Sequence, residues 1–283
     1  MNEEVVFKSV RKLRKLLKEP PRQPDPEFVH DLRTRSRKFE SIFTAVKPKP
    51  PKRDARLLRK LKRVRSRAGK VRDMDVLTGH VASVKNHDEQ ACLIQLLEEL
   101  GARRTQQAKK LRRLITNRGP VLRRKLKRSA KKLGKKLERS ASRPTAAKAA
   151  AKVLQLSSDL RNPAKLNKNN LHPYRLKVKE LRYVLRLADD SKQQDFINEL
   201  GEVKDAIGEW HDWEELMAIA EQVKSHAGRC EVVEKLKEIS RHKFEEAMRS
   251  TQQLRGKYLQ SRKKPAAGKV PKPILEVAAE MAA

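Results

Sequence analysis

An apolar residue returns every third or fourth position along almost the whole chain, a period that places one face of a helix against a core. Strands have little material to form from. Glycines number only 10 in 283 residues, and no alternating run of Val, Ile and Thr appears. The expected fold class is therefore all-α.

Helix punctuation divides the pattern. Residues 1–18 read as an amphipathic helix through Val6, Val10, Leu13 and Leu17. Asp25 followed by Pro26 reads as an N-cap with proline at the first helical position, and Pro48-Lys49-Pro50-Pro51 ends that helix some twenty residues on. Its inward seam is Val29, Leu32, Ser36, Phe39 and Phe43. The next helix is expected over 54–84, with Leu57, Leu61, Val64, Ala68 and Val71 inside and Gly69 allowing close packing. Two further helices are expected at 89–115 and 121–139. Ser142-Arg143-Pro144 reads as the main internal boundary, followed by helices at 145–160, 171–189, 194–224 and 231–260. Residues 261–283 read as a flexible Lys/Pro-rich tail.

Charge decides the class of partner. The chain carries 69 Lys+Arg against 35 Asp+Glu, a formal net charge of +34. An excess of this size attracts anions over a Debye length, so nucleic acid, anionic lipid and polyphosphate are the candidates. Aromatics are only 4%, which disfavours base stacking on single-stranded nucleic acid. Cys92 and Cys230 stand far apart without a CxxC spacing, so neither a disulfide framework nor a zinc site is suggested. The N-terminus shows no signal-peptide apolar run and no stretch has membrane-span length. A reducing cytoplasm is the expected location.

The two halves repeat. Val29-His30-Asp31-Leu32-Arg33 through Phe39 parallels Leu171-His172-Pro173-Tyr174-Arg175 through Leu181, at an offset of 142 residues. Gly69-Lys70-Val71-Arg72-Asp73 parallels Gly208-Glu209-Trp210-His211-Asp212, at an offset of 139. Such self-similarity marks a duplicated helical unit. On a helix His172, Arg175, Lys179 and Arg182 share a face, as do His30, Arg33 and Arg37. These ridges flank the apolar seams and read as almost purely cationic. Like charges so spaced destabilise a helix, and a bound polyanion would offset the repulsion.

These motifs, with Leu181-Arg182-Tyr183 and Arg72-Asp73-Met74-Asp75-Val76, strongly resemble the CHAD family over roughly residues 1–260. The resemblance implies two pseudo-symmetric four-helix bundles, about 1–141 and 145–260, around a central basic pore or groove that binds inorganic polyphosphate. It also implies association with polyphosphate granules. Carried over, the polyphosphate-binding residues are His30, Arg33, Arg37 and Lys38 on the first ridge, Lys62, Arg65 and Arg72 on the following helix, and His172, Arg175, Lys179 and Arg182 in the second half. Four positions depart from the family pattern: Glu40 and His211 stand where arginine is usual, Glu180 replaces a basic residue, and Pro173 follows the second histidine. Asn170 is expected to cap the helix that holds Pro173.

Metal binding by His30 and His172 is disfavoured by the neighbouring arginines, and no HExxH spacing supports it. Asp73/Asp75 and Asp212/Glu214 are expected to orient neighbouring cations rather than to hold magnesium. No phosphate-binding glycine loop or dense carboxylate cluster is present, so a non-catalytic role without cofactor or metal is expected. Segment 118–139, with eleven Lys/Arg and one acid, extends the polyanion footprint or forms a solvated face. Trp210, Trp213, Tyr174 and Tyr183 are expected to be core anchors. Electrostatic capture, strengthened by histidine protonation, is the expected mechanism, and nucleic-acid binding is the alternative.

Overall fold

The computed structural model describes residues 3–46, 50–84, 90–139, 146–162, 165–188, 193–223 and 231–259. The expected tail at 261–283 and the expected break at 142–144 lie outside them. Among the described residues every regular element is helical: α1 (Glu3–Leu16), α2 (Pro26–Val46), α3 (Lys52–Ser83), α4 (Gln90–Arg139), α5 (Ala146–Arg161), α6 (Lys168–Ala188), α7 (Gln194–Ala220) and α8 (Glu231–Leu254), with a π-helical turn at Arg255–Leu259. The chain is all-α. Contacts group it into two compact units, Met1–Ser142 and Arg143–Ala283.

In the first unit α1 packs on α2 and α4, α2 on α3, and α3 on α4. Asp25 starts α2: its Oδ1 accepts the Phe28 N–H at 2.6 Å, satisfying an amide that the first helical turn leaves without a partner. The seam residues Val29, Leu32, Phe39 and Phe43 of α2 meet Leu57, Leu61, Val64, Ala68 and Val71 of α3 in one core. Each large apolar side chain so buried contributes about 1.5–3 kcal/mol. Leu61→Ala would cost about 2–5 kcal/mol through lost transfer energy and the cavity it leaves. Beside this core Ser129 of α4 donates to the buried Asp54 of α3 at 3.2 Å.

The two helices expected at 89–115 and 121–139 are one: α4 runs through Pro120 and spans 50 residues. The reason is register. Leu111 and Ile115 before the proline and Leu122, Leu126 and Leu133 after it are all buried, and only an uninterrupted helix keeps them on one face. Gly119 faces α1, where a Cβ would lie 2.5 Å from the Leu17 carbonyl oxygen. The backbone just past the end of α1 therefore approaches α4 at the residue before the proline. Gly69, expected to allow close packing, instead faces open space, with nothing within 4 Å of a Cβ built on it.

In the second unit α5 packs on α6, α6 on α7 and α7 on α8, and the π-helical turn returns to α5. Arg255 donates to the Arg161 carbonyl at 2.9 Å, and Tyr258 stacks on Phe196 with ring centroids 4.4 Å apart. Asn167, rather than Asn170, caps α6. Its Oδ1 accepts the N–H of Asn169 at 2.9 Å and of Asn170 at 3.2 Å, while Asn170 Oδ1 accepts the Asn167 N–H at 2.8 Å. This reciprocal pair is a capping box built from two asparagines. Pro173 then falls inside the helix, and the carbonyl deprived of its donor belongs to Asn169, an exposed residue that water reaches.

Candidate functional site

In the first unit the seam of α2 turns inward and its basic ridge lies at the edge of the core. His30, Arg37 and Lys38 are exposed, and His30 Nε2 lies 3.4 Å from Thr34 Oγ1. Arg33 is partly buried and reaches Asp73 of α3 at 3.8 Å. Burial lowers its pKa, opposed by Asp73 and reinforced by Arg72 and Arg65. Arg65 of α3 pairs with Glu40 of α2. Lys62 is exposed and Arg72 partly exposed on α3. The α2 and α3 ridges thus lie together, but acids stand among them. The ridge read as almost purely cationic is partly neutralised here.

The second unit holds its arginines differently. Arg175 of α6 donates Nε–H to the Lys204 carbonyl at 2.9 Å, and Arg182 donates Nε–H to the Ile197 carbonyl at 3.0 Å. Each guanidinium lies against a glycine one turn beyond its acceptor. A Cβ on Gly208 would stand 2.7 Å from Arg175 Nη2, and one on Gly201 would stand 3.0 Å from Arg182 Nη2. In a helix the side chain of a residue crowds the carbonyl four positions back, so glycine leaves that carbonyl approachable from the side. No carboxylate among the described residues forms an ion pair with Arg175 or Arg182. Burial lowers the Arg182 pKa, with Arg186 adding to the effect and Asp205 opposing it.

The repeat shows what changed between the halves. By the offsets above, Arg33 corresponds to Arg175, Glu40 to Arg182, Gly69 to Gly208 and Lys62 to Gly201. The first half answers an arginine with a carboxylate; the second answers it with a backbone carbonyl. A carbonyl satisfies the Nε–H without cancelling the charge.

His172 contacts His211 of α7, with ring centroids 4.8 Å apart. Burial, His211 and Arg175 lower the His172 pKa, and its Nδ1 is buried without a hydrogen-bond partner. His211 is raised by the carboxylate of Asp212, against the effect of burial. Their separation of 3.9 Å makes this a charge contact rather than a hydrogen bond. The pair takes its first proton on His211. Lys179 lies partly exposed on the same α6 ridge, with a polar or charged neighbour of its own.

The acids singled out in the sequence sit beside cations. Asp73 faces Arg33, Asp75 accepts from Arg104 at 2.5 Å, Asp212 faces His211, and Glu214 pairs with Lys168 at 3.1 Å. Among the described residues no group of three or more His, Cys, Asp or Glu side chains is placed to hold a metal ion. Trp210, Trp213 and Tyr174 are buried as expected of core anchors. Tyr183 is not, at 43% exposure; it follows Arg182 and so falls on the outer side of α6. In segment 118–134 Arg118, Arg124, Lys127, Arg128, Lys131 and Lys132 are exposed around the buried seam of α4, while Arg123 and Lys125 are partly buried. The two glycine contacts were missed in the sequence. Their signal was there, in glycines seven apart on α7 and arginines seven apart on α6.

Two compact helical units with basic ridges at the edges of their cores define the class of protein. Comparison with known proteins identifies it further. The profile of the CHAD domain matches residues 8–221, and the chain belongs to the CHAD domain family. The crystal structure of the CHAD domain from the plant Ricinus communis is similar in fold, with a TM-score of 0.53 at 15% sequence identity, covering 99% of this chain and 89% of that chain. No curated protein matches the chain. No helix among the described residues is long and apolar enough to cross a membrane.

Proposed function

We propose that this protein binds inorganic polyphosphate without acting on it, through the basic ridges of α2, α3 and α6. One observation carries the reading: Arg175 and Arg182, two turns apart on one helix face, are each anchored by a backbone carbonyl. A guanidinium with Nε–H occupied still has its Nη donors, which fit two oxygens of a phosphate. His172 and Lys179 share that face, and His30, Arg33, Arg37, Lys38, Lys62, Arg65 and Arg72 supply the first unit's contribution. CHAD domains are associated in general with polyphosphate binding, which supports the same ligand.

Binding displaces counterions condensed on the polymer, so affinity falls steeply with salt. Tethered phosphates rebind at high effective concentration, so affinity rises with chain length until the ridges are filled. A polymer held this way would recruit the protein to polyphosphate granules. Calorimetric titration with linear polyphosphate of several lengths tests the reading. Failure to bind, or equal affinity for pyrophosphate and long chains, overturns it.

The exposed Tyr183 beside Arg182 favours one rival, a nucleic acid that stacks a base on the ring. Competition at fixed salt separates the two. Displacement of bound polyphosphate by duplex DNA or RNA at equal phosphate concentration would assign the ridge to nucleic acid.

A further inference from the structure

We propose that Gly201 and Gly208 are positioning residues: two slots on α7 that seat Arg182 and Arg175 as fixed forks for successive parts of one phosphate chain. The inference rests on the polyphosphate reading and adds how the site is held ready.

The geometry repeats at one interval. Lys204 and Gly208 serve Arg175, while Ile197 and Gly201 serve Arg182; acceptor and glycine are four residues apart in both cases, and the two sets are seven apart. The arginines are also seven apart. Because a guanidinium lies over each glycine, their separation follows the helix rise, about 10 Å for seven residues. Orthophosphate or pyrophosphate engages one fork, whereas a chain reaches both.

A free arginine side chain loses rotamer freedom when it grips a ligand. Here the cost falls on folding instead, because the Nε–H bond and the flat surface over glycine fix the guanidinium before the ligand arrives. The slots are specific to the second unit. In the first, Lys62 stands at the position of Gly201, and Gly69, the counterpart of Gly208, has nothing within 4 Å of a Cβ built on it.

Glycine in mid-helix is otherwise a poor choice, since alanine is the better helix former. The atoms a new Cβ would meet are the ends of arginine side chains and not backbone. Alanine there leaves the fold intact and moves the guanidinium. A glycine kept for packing and one kept for positioning therefore predict opposite pairings of stability and affinity.

The test uses the full chain, linear polyphosphate of defined length, and four proteins: unsubstituted, Gly208→Ala, Arg175→Gln and the double variant. Gly208→Ala is expected to hold or raise Tm by a few degrees while weakening affinity about tenfold, the scale of one charged hydrogen bond. In the Arg175→Gln background the same substitution is expected to change affinity less than twofold. Gly201→Ala with Arg182→Gln repeats the cycle at the second slot. Unchanged affinity for Gly208→Ala, or an equal loss in both backgrounds, overturns the slots while leaving the ligand assignment standing. Failure of the unsubstituted protein to bind overturns the ligand assignment, and the slots with it.

Discussion

Arg104 on α4 places its Nε 2.5 Å from Oδ1 of Asp75 on α3, while its Nη2 donates to the Pro24 carbonyl at 2.8 Å. One side chain thereby joins α3, α4 and the approach to α2. The Asp75 side chain is only 12% exposed, so removing it leaves a partly buried guanidinium without its carboxylate. Asp75→Ala is expected to destabilise the protein by about 2–3 kcal/mol, read as a lower midpoint in urea unfolding followed by circular dichroism. A change below about 0.5 kcal/mol would show the pair to be ornamental.

Pro120 offers the opposite sign. It is exposed, so Pro120→Ala loses little packing, and alanine restores the N–H that an unbroken helix directs at the Thr116 carbonyl. The expected outcome is a gain of about 1–3 kcal/mol and a higher Tm in calorimetry. Destabilisation would mean that α4 depends on a bend at this point.

The two histidines of the second unit should titrate apart. His211 is raised by Asp212 and His172 is lowered by burial, His211 and Arg175. NMR of the ring protons is expected to show His211 titrating at the higher pH, and His211→Gln is expected to move the His172 midpoint upward. Their stability effects oppose. Folding raises the His211 pKa, so its contribution is full below the unfolded histidine pKa and is lost as pH rises through the folded one. Folding lowers the His172 pKa, so its contribution is full above the unfolded value and is lost as pH falls through the folded one. Coincident midpoints would refute the coupling.

The halves should differ in how much each arginine matters to binding. Arg33 already faces Asp73, whereas Arg175 faces a neutral carbonyl. Arg175→Gln is expected to weaken polyphosphate binding about tenfold or more and Arg33→Gln about two- to threefold. The slope of log affinity on log salt should fall by about one for a lost phosphate contact. Titration at three salt concentrations checks both, and equal losses at Arg33 and Arg175 would remove the distinction between the halves.

Much of the fold was legible because the apolar period survives in the sequence: Val29, Leu32, Phe39 and Phe43 are inward as read, and so are Leu171, Tyr174, Val178, Leu181 and Leu185. The expected division between 115 and 121 is absent because the apolar seam continues in phase on both sides of Pro120. The cap moved from Asn170 to Asn167 because two asparagines three residues apart bond each other. Of the candidate site, the ridges could be read as helix faces, but not what holds them. Glu40 was visible as a departure, yet its pairing with Arg65 depends on two helices meeting. The seating of Arg182 over Gly201 likewise arises between helices, and the matching seven-residue spacings on α6 and α7 become a contact only where the two helices meet.

Trp210 and Trp213 are the chain's only tryptophans, and both are buried in α7 of the second unit, Trp210 with its ring 5.3 Å from Phe244. Intrinsic fluorescence excited at the indole band therefore reads one half of a duplicated molecule. The first half contains no tryptophan and is silent in that emission.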